Sequence, residues 1–297
     1  METRKAIRWV IIWFTLAMAV WGGIWYYYGN IYIPKDGSVL PEGFGFSKGI
    51  EFLTCYMLEW TLSIDNLFVF LMIFRSFKVD EHRQLRALEW GIIGAVILRF
   101  LFIFLGVQLV NKFEWVLYLF GILLLWSSWK MMYGKEHETD FRHSPLIMWF
   151  RRTFSITRGF HKDHFFFYRH GKWWATPMIL VVLTIESADV MFAVDSVPAA
   201  FAVTREPIII FAANLCAIMG LRSLYFVLAH AEKSFRYLKQ GVSFLLGFIG
   251  LKMMAFELIH GLEWFKYLSL GVVVGALVVS IGLSILKNRS EAAIAEK

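Results

Sequence analysis

The sequence predicts an all-α polytopic membrane bundle of about eight transmembrane helices, built as a single membrane domain over residues 1–297. Three observations predict it. First, the 297 residues are 58% hydrophobic and only 18% charged, whereas ordinary soluble domains carry roughly a quarter charged residues. Second, eight stretches approach or exceed the ~20 apolar residues that a helix needs to cross a bilayer. Third, Lys and Arg favour one set of connecting loops. Thirteen Trp and twenty-nine Phe also suit a lipid-facing protein anchored by interfacial aromatic belts.

In chain order the expected spans are 7–28, 48–74, 87–110, 114–133, 173–203, 207–230, 241–259 and 266–286. The first lacks a small-residue cleavage site and is longer than a signal h-region, so it reads as a retained span. Spans 48–74 and 173–203 are longer than a straight crossing needs, so they tilt, kink or run past the bilayer. The connection 134–172 carries its own pattern. PLIMWFRRTF (145–154) reads as an interfacial amphipathic helix, and HFFFYRHGKWWAT (164–176) as a hairpin turning at His170–Gly171. Its histidines, His137, His143, His161, His164 and His170, fit no compact metal-binding spacing and read as surface residues. Cys55 and Cys216 lie in apolar runs, with no metal-ligand spacing and no disulfide framework.

Basic residues set the orientation. The N-terminus, the loop after 48–74, the connection 134–172, loop 231–240 and the C-terminus hold 21 Lys and Arg, while the other side holds five. Both termini are therefore expected on the cytoplasmic side. The same loops account for the formal charge of +7 without a nucleic-acid partner. The partner implied is the lipid bilayer; nothing in the chain identifies a protein partner. Four bases fall inside spans: Arg99, Lys130, Arg222 and Lys252. Lys130 is close enough to a helix end to snorkel.

Two segments of the chain match each other. EWTLSIDNLFVF (59–70) and DVMFAVDSVPAA (189–200) both place an acid six residues before an Asp, pairing Glu59 with Asp65 and Asp189 with Asp195. Asn66 then aligns with Ser196, Arg99 of LRFLFIFLG with Arg222 of LRSLYFVLA, and Lys130-Met-Met with Lys252-Met-Met. Repeat one covers 48–133 and repeat two 173–259, flanked by the N-terminal span 7–28 and the C-terminal span 266–286. Span 48–74 starts outside and span 173–203 starts inside, so the repeats are expected to be inverted. Inverted repeats with polar, interrupted helices at mid-membrane are a pattern of secondary transporters.

Glu59, Asp65, Glu186, Asp189 and Asp195 all lie at membrane depth. Facing lipid they would cost on the order of 10 kcal/mol together, so they are expected to face the bundle interior. Glu59, Ser63 and Asn66 share one helix face at i, i+4 and i+7, and Glu186 and Asp189 share one at i, i+3. Residues six apart point about 120° apart on a straight helix. Glu59 and Asp65, like Asp189 and Asp195, therefore converge only if each helix bends. Pro198 is the expected helix break in the second unit, because it cannot bond the carbonyl of Val194. The donors are all oxygen, which suits hard or borderline cations such as Mg2+, Ca2+ and Mn2+. Five acids against Arg99, Arg222 and Lys252 leave a formal −2, matched by one divalent cation or two protons. Arg99 and Arg222 read as anchors of the carboxylates, and Lys252 as a third ion-pair or gating residue.

At these residues the chain resembles the TerC/Alx family of integral membrane proteins. EWTLSIDNLFVF is similar to the family's first motif, and ESADVMFAVDSVPAAFAVT (186–204) to its second. The likeness runs over about 48–286 and is closest to the Alx branch, whose members resemble manganese exporters; the family is also placed near the LysE-type exporters. The resemblance implies Glu59, Asp65, Asn66, Glu186, Asp189, Asp195 and Ser196 as metal-handling residues, with Mn2+ as substrate. It also implies a multi-pass protein of the bacterial cytoplasmic (inner) membrane. The leading expectation is a secondary exporter of Mn2+ or a similar divalent cation, coupled to protons. The alternatives are a LysE-like exporter of another small solute and a non-transporting membrane partner that delivers metal to secreted proteins. There is no Walker-type ATP motif and no nucleophile–base pair, so no enzymatic activity is expected.

Overall fold

The computed structural model describes residues 3–34, 38–134, 145–157, 159, 164–169, 172–230, 237–255 and 264–295. Helix α1 (Thr3–Tyr26) runs into a π turn at Tyr27–Ile31 and is followed by α2 (Phe44–Phe77), α3 (Glu81–Lys112) and α4 (Val116–Tyr133). A short helix, α5 (Pro145–Thr153), precedes strands β1 (Phe166–Arg169) and β2 (Lys172–Ala175). Helices α6 (Pro177–Phe201), α7 (Pro207–His230), α8 (Leu238–Met254) and α9 (Trp264–Ala295) complete the chain.

Local chemistry sets several of these boundaries. Lys78 ends α2 in the left-handed region, at φ 52°, with its N–H on the carbonyl of Arg75 and the N–H of Val79 on the carbonyl of Phe74. Such a residue closes a helix by satisfying carbonyls that would otherwise be orphaned. Thr176 is extended, and Pro177 opens α6 at a position where a missing N–H costs nothing.

Among the described residues, seven helices are long and apolar enough to cross a membrane: α1 with its π turn, α2, α3, α4, α6, α7 and α9. The expected eighth span, 241–259, corresponds to α8, which has 17 residues and ends at Met254; positions 256–259 lie outside the described residues. Span 173–203 begins too early, because Trp173 and Trp174 belong to β2. The two aromatics are apolar enough to read as membrane helix but pair across a hairpin instead.

Helix α2 forms the axis of the bundle and packs on α1, α6, α7 and α9, while α3 packs on α6 and α7. Helices α4 and α8 pack closely on each other. Ser128 Oγ donates to the carbonyl of Ser243, and Ser243 Oγ donates to the carbonyl of Ser128, each at 2.7 Å. A Cβ on Gly121 would lie 3.2 Å from the carbonyl oxygen of Gly250, and one on Gly250 would lie 3.0 Å from that of Gly121. Small residues allow this backbone approach, which binds helices where lipid supplies no hydrophobic driving force. The outer faces remain apolar, as with Ile97, Phe100 and Phe104 on α3.

The amphipathic segment 145–154 forms α5, with Ile147 and Phe150 buried against Ala175 and Leu180. The hairpin strands pair antiparallel from Phe166↔Ala175 to Arg169↔Lys172; the expected turn at His170–Gly171 lies outside the described residues. His137, His143, His161 and His170 lie outside the described residues.

One expectation about α6 needs correction. Pro198 does not break it: the helix continues through Pro198 to Phe201. Pro198 stands in the last turn, so its missing N–H removes one bond at a helix that is already ending. The turn closes with the Ala202 N–H on the carbonyl of Pro198, at 3.1 Å.

Candidate cation site at the α2–α6 contact

Helix α2 presents Glu59, Ser63 and Asn66 inward, all buried, and α6 presents Asp189 and Ser196. Arg99, on α3, lies between these helices. Its guanidinium donates from Nη1 to Glu59 Oε2, and from Nη2 to Asp189 Oδ1 at 3.5 Å. Arg99 and Glu59 are each 1% exposed and Asp189 is 4%. A planar guanidinium with two forward donor groups suits this bridging role better than an ammonium would. One buried base thus holds one acid from each matched motif.

Several oxygens around this bridge have no hydrogen-bond partner among the described residues: Glu59 Oε1, Asp189 Oδ2, Ser63 Oγ, Ser196 Oγ and both carboxylate oxygens of Glu186. Buried oxygens without donors are costly, and carboxylate and hydroxyl oxygens are the donor set that a hard cation takes. Glu186 lies beside Gly94 of α3, so close that a Cβ on Gly94 would collide with the carboxylate. It also stands within electrostatic reach of Asp189. Taken as ionised, Glu59, Asp189, Glu186 and Arg99 sum to −2.

The seven residues expected to handle metal do not form one cluster. Among the described residues no three His, Cys, Asp or Glu side chains stand close enough together to hold a metal ion. The helices explain the split. Both α2 and α6 are continuous through their motifs, so Asp65 and Asp195 are rotated about 120° from Glu59 and Asp189. Asp195 instead accepts a hydrogen bond from Ser127 Oγ of α4 at 2.6 Å, with Lys130 in electrostatic reach. Asp65 is half-buried on α2.

Two basic residues stand elsewhere than expected. Arg222 does not anchor the motif carboxylates; it pairs with Glu89 at 2.6 Å, both half-exposed. Aligning LRSLYFVLA with LRFLFIFLG places Ala212 opposite Glu89, so the first unit carries an extra acid, and Arg222 pairs with it. Lys252 donates to Ser269 Oγ at 3.1 Å and lies over the ring of Phe265 at 5.7 Å, tying α8 to α9.

Sequence reasoning missed Ser127 and a buried acid, Glu51, which is 4% exposed. Glu51 receives hydrogen bonds from Lys48 Nζ at 2.9 Å and Thr204 Oγ1 at 2.6 Å, and pairs with Lys266 Nζ at 3.1 Å. Its spacing gave the signal: Glu51, Cys55, Glu59 and Ser63 recur every four residues along one stripe of α2. Ser127 had no such signal, because its partner lies on another helix.

The chain is similar to several known membrane proteins. The chain is 39% identical to Alx of Escherichia coli K12, over 84% of its own length and 75% of that protein; the name given to Alx proposes a membrane-bound redox modulator. It is 37% identical to the membrane protein STKORF319 of Myxococcus xanthus, over 96% of this chain and 84% of that one. It is 42% identical to the thylakoid membrane protein TERC of Arabidopsis thaliana, over 72% of this chain and 55% of that one. No solved structure matches it. The sequence profile of the TerC integral membrane family covers residues 44–292, a range that includes both acidic motifs, Arg99 and Glu51: the chain belongs to the TerC family of integral membrane proteins.

Proposed function

We propose that this protein is a secondary transporter that exports Mn2+ or a similar divalent cation, coupled to protons, through the α2–α6 site. The observation that carries the reading is the Arg99 bridge. Glu59 and Asp189 come from different helices, share one buried guanidinium, and keep one unpartnered oxygen each. A purely structural ion pair would satisfy those oxygens as well. With Glu186 the local charge of −2 equals one divalent cation or two protons, which is the stoichiometric basis for exchange. Arg99 holds the acids in the absence of substrate. An entering cation takes the free oxygens and displaces the guanidinium from one carboxylate.

Two inverted three-helix units are part of the proposal. Support comes from the α4–α8 contact. Aligning the two Lys-Met-Met segments makes Ser128 equivalent to Gly250, and Gly121 equivalent to Ser243. The contacts Ser128–Ser243 and Gly121–Gly250 then exchange with one another, as a two-fold axis between units requires. The bacterial inner-membrane location belongs to the same reading.

The test is reconstitution into proteoliposomes, with Mn2+ flux followed under an imposed pH gradient. Wild type should carry Mn2+, and Glu59→Gln and Asp189→Asn should each lower the rate at least about tenfold, the loss expected when one of few charged ligands is removed. Wild-type flux in the double variant would reject the site. Absence of divalent flux in well-folded protein would favour the non-transporting metal-delivery partner; flux of an organic solute would favour the LysE-like alternative.

A further inference from the structure

A second polar cluster lies about 12 Å along α2 from Glu59, the rise of eight helical residues. It joins α2 to the start of α9 and to the α6–α7 connection, two parts of the chain that the Arg99 bridge does not touch. Glu51 of α2 is held by Lys48 one turn earlier, by Lys266 at the start of α9, and by Thr204 in the α6–α7 connection. Lys266 also donates to Ser47 Oγ at 2.8 Å. Lys48 stands 3.9 Å from Glu206, whose N–H donates to Thr204 Oγ1 at 3.2 Å. All of this lies at the end of the bundle away from the basic loops.

Three features distinguish this cluster from a surface salt bridge. The carboxylate is buried, while Lys266 at its rim is 38% exposed. Both carboxylate oxygens are engaged, one by an ammonium and the other by an ammonium and a hydroxyl. The stripe Glu51, Cys55, Glu59 leads from it directly to the Arg99 bridge. Cys55, midway, is 1% exposed and directs its thiol at the carbonyl of Ala200.

We infer that Glu51 is the exit station of the cation path, and that Lys48 and Lys266 close it as a tethered gate by occupying its carboxylate with their own ammonium groups. The inference rests on the transport reading above. A divalent cation arriving from Glu59 meets a carboxylate already neutralised by two monovalent cations. It replaces them at Glu51, which releases Lys266 and the start of α9 from α2. Departure of the cation lets the lysines return. With Glu206 beside Lys48, the empty station balances two lysines against two acids, so it offers an arriving cation no net negative charge to retain it.

Cys55 reports the gate without any transport measurement. In a Cys216→Ser background, a membrane-impermeant maleimide is added to intact cells and, separately, to inside-out vesicles. Slow labelling of Cys55 from the outer face is expected in the parent, rising at least about tenfold in Lys266→Gln and in Lys48→Gln, with Lys266→Arg restoring protection. Millimolar Mn2+ should slow labelling again in Lys266→Gln, and not in Lys266→Gln/Glu51→Gln. Lys266 is at the rim and partly exposed, so its Gln variant removes little packing, and size-exclusion profiles check that each variant is folded. Unchanged labelling in folded Lys266→Gln and Lys48→Gln overturns the gate while leaving the Arg99 site standing. Labelling that rises but ignores Mn2+ overturns the exit station. If the variants label as expected but wild-type liposomes carry no Mn2+, the transport reading fails and the gate is one for water or another solute.

Discussion

Arg99 is the residue on which the polar interior depends. It is buried among helices α2, α3 and α6 and touches an acid on each of its neighbours. Replacing it with Met keeps an unbranched apolar stem but leaves Glu59 and Asp189 facing each other without a cation. Breaking a buried pair in this way costs about 3–5 kcal/mol. Arg99→Met should therefore lower the melting temperature of the purified protein sharply. Adding Glu59→Gln and Asp189→Asn to it should recover most of the loss, since the uncompensated charge is then gone. A melting curve of Arg99→Met that overlays wild type would show that the bridge is not structural. At this scale the sequence was legible in kind and not in partner. An acid six residues before an Asp flagged four carboxylates, but spacing along one helix cannot say which helix lies opposite. Asp195 turned out to face Ser127 and Arg222 to face Glu89.

At the scale of the elements, apolar runs located the helices well. Expected spans 114–133 and 207–230 correspond to Val116–Tyr133 and Pro207–His230, because lipid-facing helices need continuous hydrophobicity and leave a plain signal. The convergence of Asp65 and Asp195 on the site required bends, and those did not appear. A proline predicts a lost hydrogen bond; where the helix ends within a turn, that loss produces no break. The α4–α8 contact is the element-level feature with the clearest energetic consequence. Its glycines sit against opposing backbone, so a side chain cannot move aside. Gly250→Leu should destabilise by about 1–3 kcal/mol, the usual cost of overpacking. Ser243→Ala, which removes one hydrogen bond between membrane helices, should cost only about 0.6 kcal/mol. Thermal unfolding in detergent compares the two directly, and a larger loss for the serine would mean that hydrogen bonding rather than backbone approach holds the pair.

For the whole molecule, the question is which way the bundle faces. Helix α2 ends in the left-handed Lys78 and turns within three residues into α3, so successive helices run antiparallel, and one end of the bundle collects the loops rich in Lys and Arg. Cytoplasmic leaflets attract such loops, and short basic connections resist translocation. That end should face the cytoplasm, together with α5, the hairpin and both termini. The Glu51 cluster then faces outward, as an exit station requires. Reporter fusions give the answer independently of any transport assay. A fluorescent protein that folds only in the cytoplasm should be active when fused at the N-terminus or after Lys297. A phosphatase that is active only outside should work when inserted between residues 35 and 37, in the connection after the π turn. The reverse pattern would place Glu51 at the entrance instead. The same two-lysine gate would then control uptake, and Mn2+ flux in liposomes of known orientation would run from the Glu51 end toward Arg99.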